Sequence, residues 1–234
     1  MKLILFDIDG TLLRSDGAGR AALTATLHAR YGTAGPIDSY RLDGKTDPRI
    51  ITDLLTAAGL ELSRIRADLP HIYELMAIKA QEIYGTHHFT ICPGVPALLT
   101  ELRARPDVVL GLLTGNAAQT APLKLTAAGL DPAHFPVGAF GSDHDDRNQL
   151  PAMAMQRATA VTGYPFSGSD TIIIGDTPAD ILCARAGGAT AVAVATGWHA
   201  PATLAQYAPD HLFVNLADTT TILTALLGPT NYGH

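Results

Sequence analysis

Two aspartates stand one residue apart behind a short apolar run near the start of this chain, Leu3-Ile4-Leu5-Phe6-Asp7-Ile8-Asp9-Gly10-Thr11-Leu12-Leu13. An unbroken apolar run of that length suits a strand buried on both faces of a parallel sheet, and such strands present their ligand sites at their carboxyl ends. Side chains two apart on an extended chain point the same way, so Asp7 and Asp9 can face one site, with Gly10 turning the backbone behind them. Two close carboxylates repel unless a cation sits between them, and a hard divalent ion such as Mg²⁺ would serve.

Two further apolar runs end in groups of related chemistry. Leu112-Leu113 leads into Thr114-Gly115-Asn116, and Ile173-Ile174 into Gly175-Asp176-Thr177-Pro178-Ala179-Asp180. The Thr114 hydroxyl and the amides around Gly115 suit an anion ahead of a helix start. Thr114 or Asn116 also fits as the amino-terminal cap of that helix, and both roles can hold at once. Asp176 and Asp180 would bring more carboxylate to a metal, although Thr177-Pro178-Ala179-Asp180 equally reads as a capping box. Between Lys124 and Asp176 the basic residues are Arg147 and Arg157. Arg147 lies ahead of a short loop and a helix, whereas Arg157 falls mid-helix, facing solvent. Asp143, Asp145 and Asp146 beside Arg147 read as a hydrated loop or as its orienting groups.

In order and spacing these segments resemble the four motifs of the haloacid dehalogenase superfamily, and its phosphoglycolate phosphatase-like group with a helical cap in particular. The resemblance implies a Mg²⁺-dependent phosphomonoester hydrolase acting on a small phosphorylated metabolite. Asp7 would be the nucleophile that forms an aspartyl-phosphate and Asp9 the acid and base. The metal would rest on the Asp7 side chain, the Asp9 backbone carbonyl and Asp176, with Asp180 orienting from behind. Thr114, Gly115, Asn116 and Arg147 would hold the phosphoryl oxygens, although the family often has Lys-Pro where this chain has Arg147-Asn148. In the cap, Gly44-Lys45-Thr46-Asp47 matches the group's specificity loop, with Lys45 and Thr46 facing substrate; Asp47-Pro48 also fits an ordinary helix start beside a solvated lysine. Alternatives are a β-phosphoglucomutase-like phosphotransferase on the same scaffold and, outside enzymes, a receiver-like or silent phosphate-binding protein.

The elements that must position these groups follow from periodicity. Residues 15–91 read as helical throughout, with Leu23 and Leu27 in a helix over 18–31 closed by Gly32, Ile50, Leu54 and Leu55 in a second, and Ile65, Leu69, Ile72, Tyr73 and Met76 in a third over 63–84. No strand is expected there. From Cys92-Pro93-Gly94 onward strand and helix alternate: strands at 108–113, 137–140, 171–174, 189–195 and 211–214, and helices at 97–104, 117–128, 151–162, 178–186 and 217–227. Alternation of this kind implies α/β architecture, a Rossmann-like parallel sheet with helices on both faces. The expected division is a core of residues 1–14 and 92–234 and an inserted all-helical cap of residues 15–91.

With 234 residues, 47 % hydrophobic, the chain can bury a sizeable core. A net charge of −6, with sixteen scattered Lys and Arg, argues against nucleic acid or an anionic membrane as partner. Cys92 and Cys183 lack metal-ligand spacing and read as reduced, buried thiols, and the nine histidines show no ligand spacing either. Asp7 ends the first apolar run too early for an export signal, and no stretch has the length of a membrane span, so a cytoplasmic monomer or homodimer is expected.

Overall fold

The computed structural model describes residues 1–228. Its centre is a six-stranded parallel sheet of β1 (Lys2–Phe6), β4 (Val108–Thr114), β5 (Val137–Phe140), β6 (Thr171–Gly175), β7 (Thr190–Val194) and β8 (His211–Phe213), in the order β5-β4-β1-β6-β7-β8. β1 lies between β4 and β6, with Phe6 opposite both Leu112 and Ile174. That register sets the loops after Phe6, Thr114 and Gly175 side by side at one end of the sheet.

Two-residue alternation divides the strands between two apolar layers. Ile4, Phe6, Leu110, Leu112, Ile172 and Ile174 face α4 (Val95–Arg103), α5 (Ala121–Ala127) and α9 (Thr219–Leu227). Leu3, Leu5, Leu113 and Ile173 face α6 (Leu150–Thr162) and α7 (Pro178–Ala186), together with Leu204 of the short α8 (Pro201–Ala205). Both cysteines are free and buried.

Between β1 and α4 lie three helices, α1 (Ala18–Tyr31), α2 (Asp47–Ala57) and α3 (Leu62–Tyr84). They share an apolar cluster of their own, built from Leu23, Leu27, Ile51, Leu54, Leu55, Ile65, Ile72 and Met76. The expectation of no strand in 15–91 needs correction. Thr90–Ile91 (β3) pairs antiparallel with Leu13–Arg14 (β2), so the chain leaves and re-enters the sheet unit through a paired ribbon. Two-residue strands are too short for any periodicity to reveal.

A second correction concerns the helix expected from Ala117. It begins at Ala121, with Thr120 as its cap, because Pro122 has no N–H to bond the Ala118 carbonyl. Ahead of it the Ala117 N–H donates to Asp47 Oδ2 at 2.7 Å and the Ala118 N–H to Ser142 Oγ at 3.0 Å. No described helix is long and apolar enough to cross a membrane.

Candidate active site

Beyond β1 the chain turns tightly: the Thr11, Leu12 and Leu13 N–H groups converge on the Ile8 carbonyl, and Gly10 takes φ +82°. A Cβ at Gly10 would lie 2.3 Å from Asp176 Oδ2, so glycine is required by both conformation and space. This turn gives the two aspartates different surroundings. Asp7 is buried and points toward Arg147, 3.2 Å from Nη2. Asp9 turns to the other side, where Oδ2 accepts from Lys124 Nζ at 2.5 Å and Asn116 Nδ2 at 2.9 Å, and Oδ1 from Ser15 Oγ at 3.3 Å. Both still line one cavity of about 720 Å³ between the sheet and the helical insert.

The Arg147 guanidinium is buried and held by carboxylates, with Nη2 2.5 Å from Asp180 Oδ1. Its Nε is left without a partner among the described residues. A buried unpaired donor costs free energy comparable to a hydrogen bond, so an incoming anion oxygen would be welcomed there. The aspartates beside Arg147 do not orient it. Asp143 pairs with Arg157 at 2.6 Å, Asp146 accepts from the Asn148 N–H, and Asp145 takes the Thr46 hydroxyl on its backbone carbonyl. Arg157 is thus tied to Asp143 rather than standing free in solvent.

Asp176, at the end of β6, is nearly inaccessible and accepts from Thr11 Oγ1 at 3.0 Å. Asp180 closes the capping box of α7, its Oδ2 accepting from the Thr177 N–H and hydroxyl, while its Oδ1 holds Arg147. One oxygen from each of Asp7, Asp176 and Asp180 lies within 4.8 Å of the others. Burial pushes Asp7 up to about 6, with Arg147 pulling the other way, and burial with the neighbouring Asp180 and Asp7 charges raises Asp176 well above the carboxylate range. Of three buried carboxyls, Asp7 and Asp180 pair with the one guanidinium and Asp176 has none, and that deficit of positive charge fits an all-oxygen divalent-cation site. Asp9 behaves oppositely: burial works against its charge, but the Lys124 ammonium with Asn116 holds it below the usual range.

Thr114 and Asn116 do not cap α5, whose cap position is Thr120. Instead the Asn116 side chain donates to Thr114 Oγ1 at 2.8 Å and to Asp9. Thr114, Gly115 and Asn116 line the cavity close to Asp7, Asp9 and Arg147. Gly115 has a further reason to be glycine, since a Cβ would meet the Lys45 carbonyl oxygen at 2.0 Å.

From the insert, Lys45 lines the cavity with its ammonium 3.8 Å above the Tyr40 ring. Thr46 is buried, and its hydroxyl donates to the Asp145 carbonyl at 2.8 Å, a contact with the sheet unit rather than with the cavity. Asp47 completes this seam, its N–H donating to the Gly115 carbonyl at 2.7 Å and its carboxylate accepting from Ala117. Burial pushes Asp47 up to about 6, against the pull of Lys124.

Sequence reasoning passed over Lys124 and Asp47 as site residues. Lys124 carried a signal, being the one charged residue between Ala117 and Leu130. Also unforeseen is the loop after β7. A Cβ at Gly197 would lie 1.7 Å from Asp176, Thr196 Oγ1 donates to the Gly10 carbonyl, and His199 reaches Asp43 of the insert at 3.3 Å.

A parallel sheet whose central strand ends in a buried carboxylate, flanked by acids, a guanidinium and a covering insert, defines an enzyme acting on an anionic substrate. The chain belongs to the haloacid dehalogenase-like hydrolases, whose family model matches residues 1–188. Similar curated proteins are phosphoglycolate phosphatases: one from Synechococcus elongatus is 28 % identical, with 97 % of this chain and 99 % of that protein covered. Another, from Vibrio cholerae, is 27 % identical, with 90 % and 91 % covered. The fold is shared with CbbY of Rhodobacter sphaeroides, solved in complex with phosphate, at TM-score 0.70, 18 % identity and coverage of 93 % and 96 %. A hydrolase from Pseudomonas syringae superposes with TM-score 0.68 at 21 % identity over 95 % of this chain and 98 % of that one. The chain is a phosphatase, similar to the phosphoglycolate phosphatases.

Proposed function

We propose that this chain hydrolyses a small phosphomonoester, with 2-phosphoglycolate the first candidate, through an aspartyl-phosphate on Asp7. The observation that carries the reading is the division of labour between the two aspartates. Asp7 faces Arg147 and the acid cluster, while Asp9, two residues away, is turned to Lys124 and Asn116. That division supports Asp7 as the acceptor of a phosphoryl group and Asp9 as the group that handles protons.

Asp7 and Asp176 would hold a Mg²⁺ together with the Asp9 backbone carbonyl, with Asp180 orienting from behind, and the ion would supply neutralisation of the gathered negative charge. Arg147, Thr114 and the amides near Gly115 and Asn116 hold those oxygens and fix the angle of attack. An Asp7 oxygen forms a bond to phosphorus as the ester bond breaks, and the departing oxygen takes a proton from Asp9. The bound dianion raises the proton affinity of Asp9 ahead of that step, offsetting Lys124. A water then gives its proton to Asp9 and attacks the phosphorus, releasing phosphate and restoring Asp7.

In this reading residues 15–91 form a cap over residues 1–14 and 92–234, excluding water and choosing substrate through Lys45 and its neighbours. Thr46 holds the cap to the core. The absence of a membrane-crossing helix among the described residues is compatible with work in the cytoplasm.

The test is phosphate release from a panel of small phosphomonoesters that includes 2-phosphoglycolate, with Mg²⁺ and with chelator. Asp7→Asn is expected to lose at least about a thousandfold in kcat. Turnover that survives in Asp7→Asn, or that ignores the chelator, would sink the aspartyl-phosphate reading.

A further inference from the structure

Lys124 is an anomaly. It lies on α5 of the sheet unit, 95 % hidden, and its ammonium has one carboxylate within ion-pair distance among the described residues, that of Asp9. Burying an ammonium is costly unless it is paired and hydrogen-bonded, so the contact must return something. Three donors converge on Asp9. Lys124 and Asn116 both occupy Oδ2, while Oδ1 has only the longer bond from Ser15. Oδ2 is saturated and Oδ1 is the oxygen with capacity left to exchange a proton.

The ammonium is also covered by the insert. A Cβ on Gly19 of α1 would come within 3.0 Å of Nζ, so the helix backbone rests on the lysine tip. Leu123, the residue before it, packs with Ala18 and Ala22 of α1 and with Ala80 and Tyr84 of α3. The lysine that grips Asp9 therefore belongs to the surface on which the insert is seated.

We propose that Lys124 is a positioning residue for proton transfer: seated under α1, it fixes Asp9 through Oδ2 so that Oδ1 meets the leaving-group oxygen. This rests on the acid and base role of Asp9 proposed above. Its signature is dependence on the leaving group. An alkyl phosphate needs a proton on its departing oxygen, whereas p-nitrophenyl phosphate expels a stable phenolate and needs little help.

The experiment compares kcat for these two substrates in wild type, Lys124→Met, Lys124→Arg, Asp9→Asn and the Asp9→Asn/Lys124→Met double variant. Lys124→Met is expected to lose about a hundredfold on the alkyl phosphate and at least about tenfold less on p-nitrophenyl phosphate. Lys124→Arg should recover part of the difference. The double variant should be no slower than Asp9→Asn alone, because the lysine acts through that carboxylate. Equal losses on both substrates, no loss, or additive losses in the double variant would each overturn the proposal. Should Lys124→Met fail to fold, Gly19→Ala presses on Nζ from the insert side without touching Asp9. It is expected to show a smaller loss with the same selectivity for the alkyl substrate, and an equal effect on both would overturn the proposal. Asp7→Asn, run alongside, separates the two ideas: if it keeps turnover the mechanism is wrong, whatever Lys124 does.

Discussion

Asp7 and Asp9 have different surroundings, and different roles are proposed for them, because a tight turn gives them different neighbours, not because their chemistry differs. Two-residue spacing on an extended chain would have aimed both at one cation, but the chain stops being extended at Ile8, whose carbonyl collects three N–H groups. The same local control of charge applies to Asp47. Its ordinary pKa is near 3.9 and burial pushes it up to about 6. A group raised in the folded state contributes stability that is present below its unfolded pKa and is lost as pH rises through its folded pKa. Asp47→Asn keeps an oxygen to accept the Ala117 N–H but cannot ionise. The variant should match wild type near pH 4 and exceed it above pH 6, by on the order of 2 kcal/mol. Urea midpoints at a series of pH values, taken as differences between the two proteins, measure this. A difference that does not change between pH 4 and 7 would contradict it.

Elements were legible where a strand or helix is long and its signal periodic. The parallel sheet and the strand ends bearing Asp7, Thr114 and Asp176 follow from apolar runs stopping at polar groups, and the helices of the insert from apolar residues at three-and-four spacing. Contacts made by side chains or backbone of distant elements were not. Lys124 is 115 residues from Asp9, and their meeting depends on how α5 is rotated. Nor were the bonds legible that Asp47 and Ser142 of distant elements accept from the Ala117 and Ala118 N–H groups. Thr120 and Pro122 did mark the true start of α5 locally, as cap and early proline. The seam between α2 and the Thr114–Ala117 loop yields a prediction of its own. Gly115→Ala would put a methyl against the Lys45 carbonyl, so the insert must back away. The core should fold normally while kcat falls about tenfold to a hundredfold with loosened substrate binding. Hydrogen exchange should rise at Asp47 and Ala117, whose N–H groups span the seam; unchanged exchange there would show that the seam tolerates the methyl.

For the whole molecule, the site is a local excess of negative charge in a chain that is already acidic, and folding must assemble it. Asp7, Asp176 and Asp180 converge because the adjacent parallel strands β1 and β6 end together and α7 follows β6 at once; among the described residues Arg147 is the cation paired with this cluster. Without a bound ion this cluster carries the cost of buried charge, from burial first and mutual repulsion second, seen in the raised proton affinity of Asp7 and Asp176. Asp176→Asn should relieve it, since the amide can still accept from Thr11 and brings no charge. The metal-free variant is expected to melt above metal-free wild type at pH 7.5, by a few degrees for about 1–2 kcal/mol. Wild type should gain stability as Mg²⁺ is added, following its occupancy, whereas the variant should gain little. The two melting curves should therefore cross as Mg²⁺ rises, with wild type the more stable at saturation. If the metal-free variant melts below wild type, the Asp176 carboxylate contributes more through its bond from Thr11 than it costs through repulsion. The acid cluster would then be a settled part of the core rather than a site held ready for a cation.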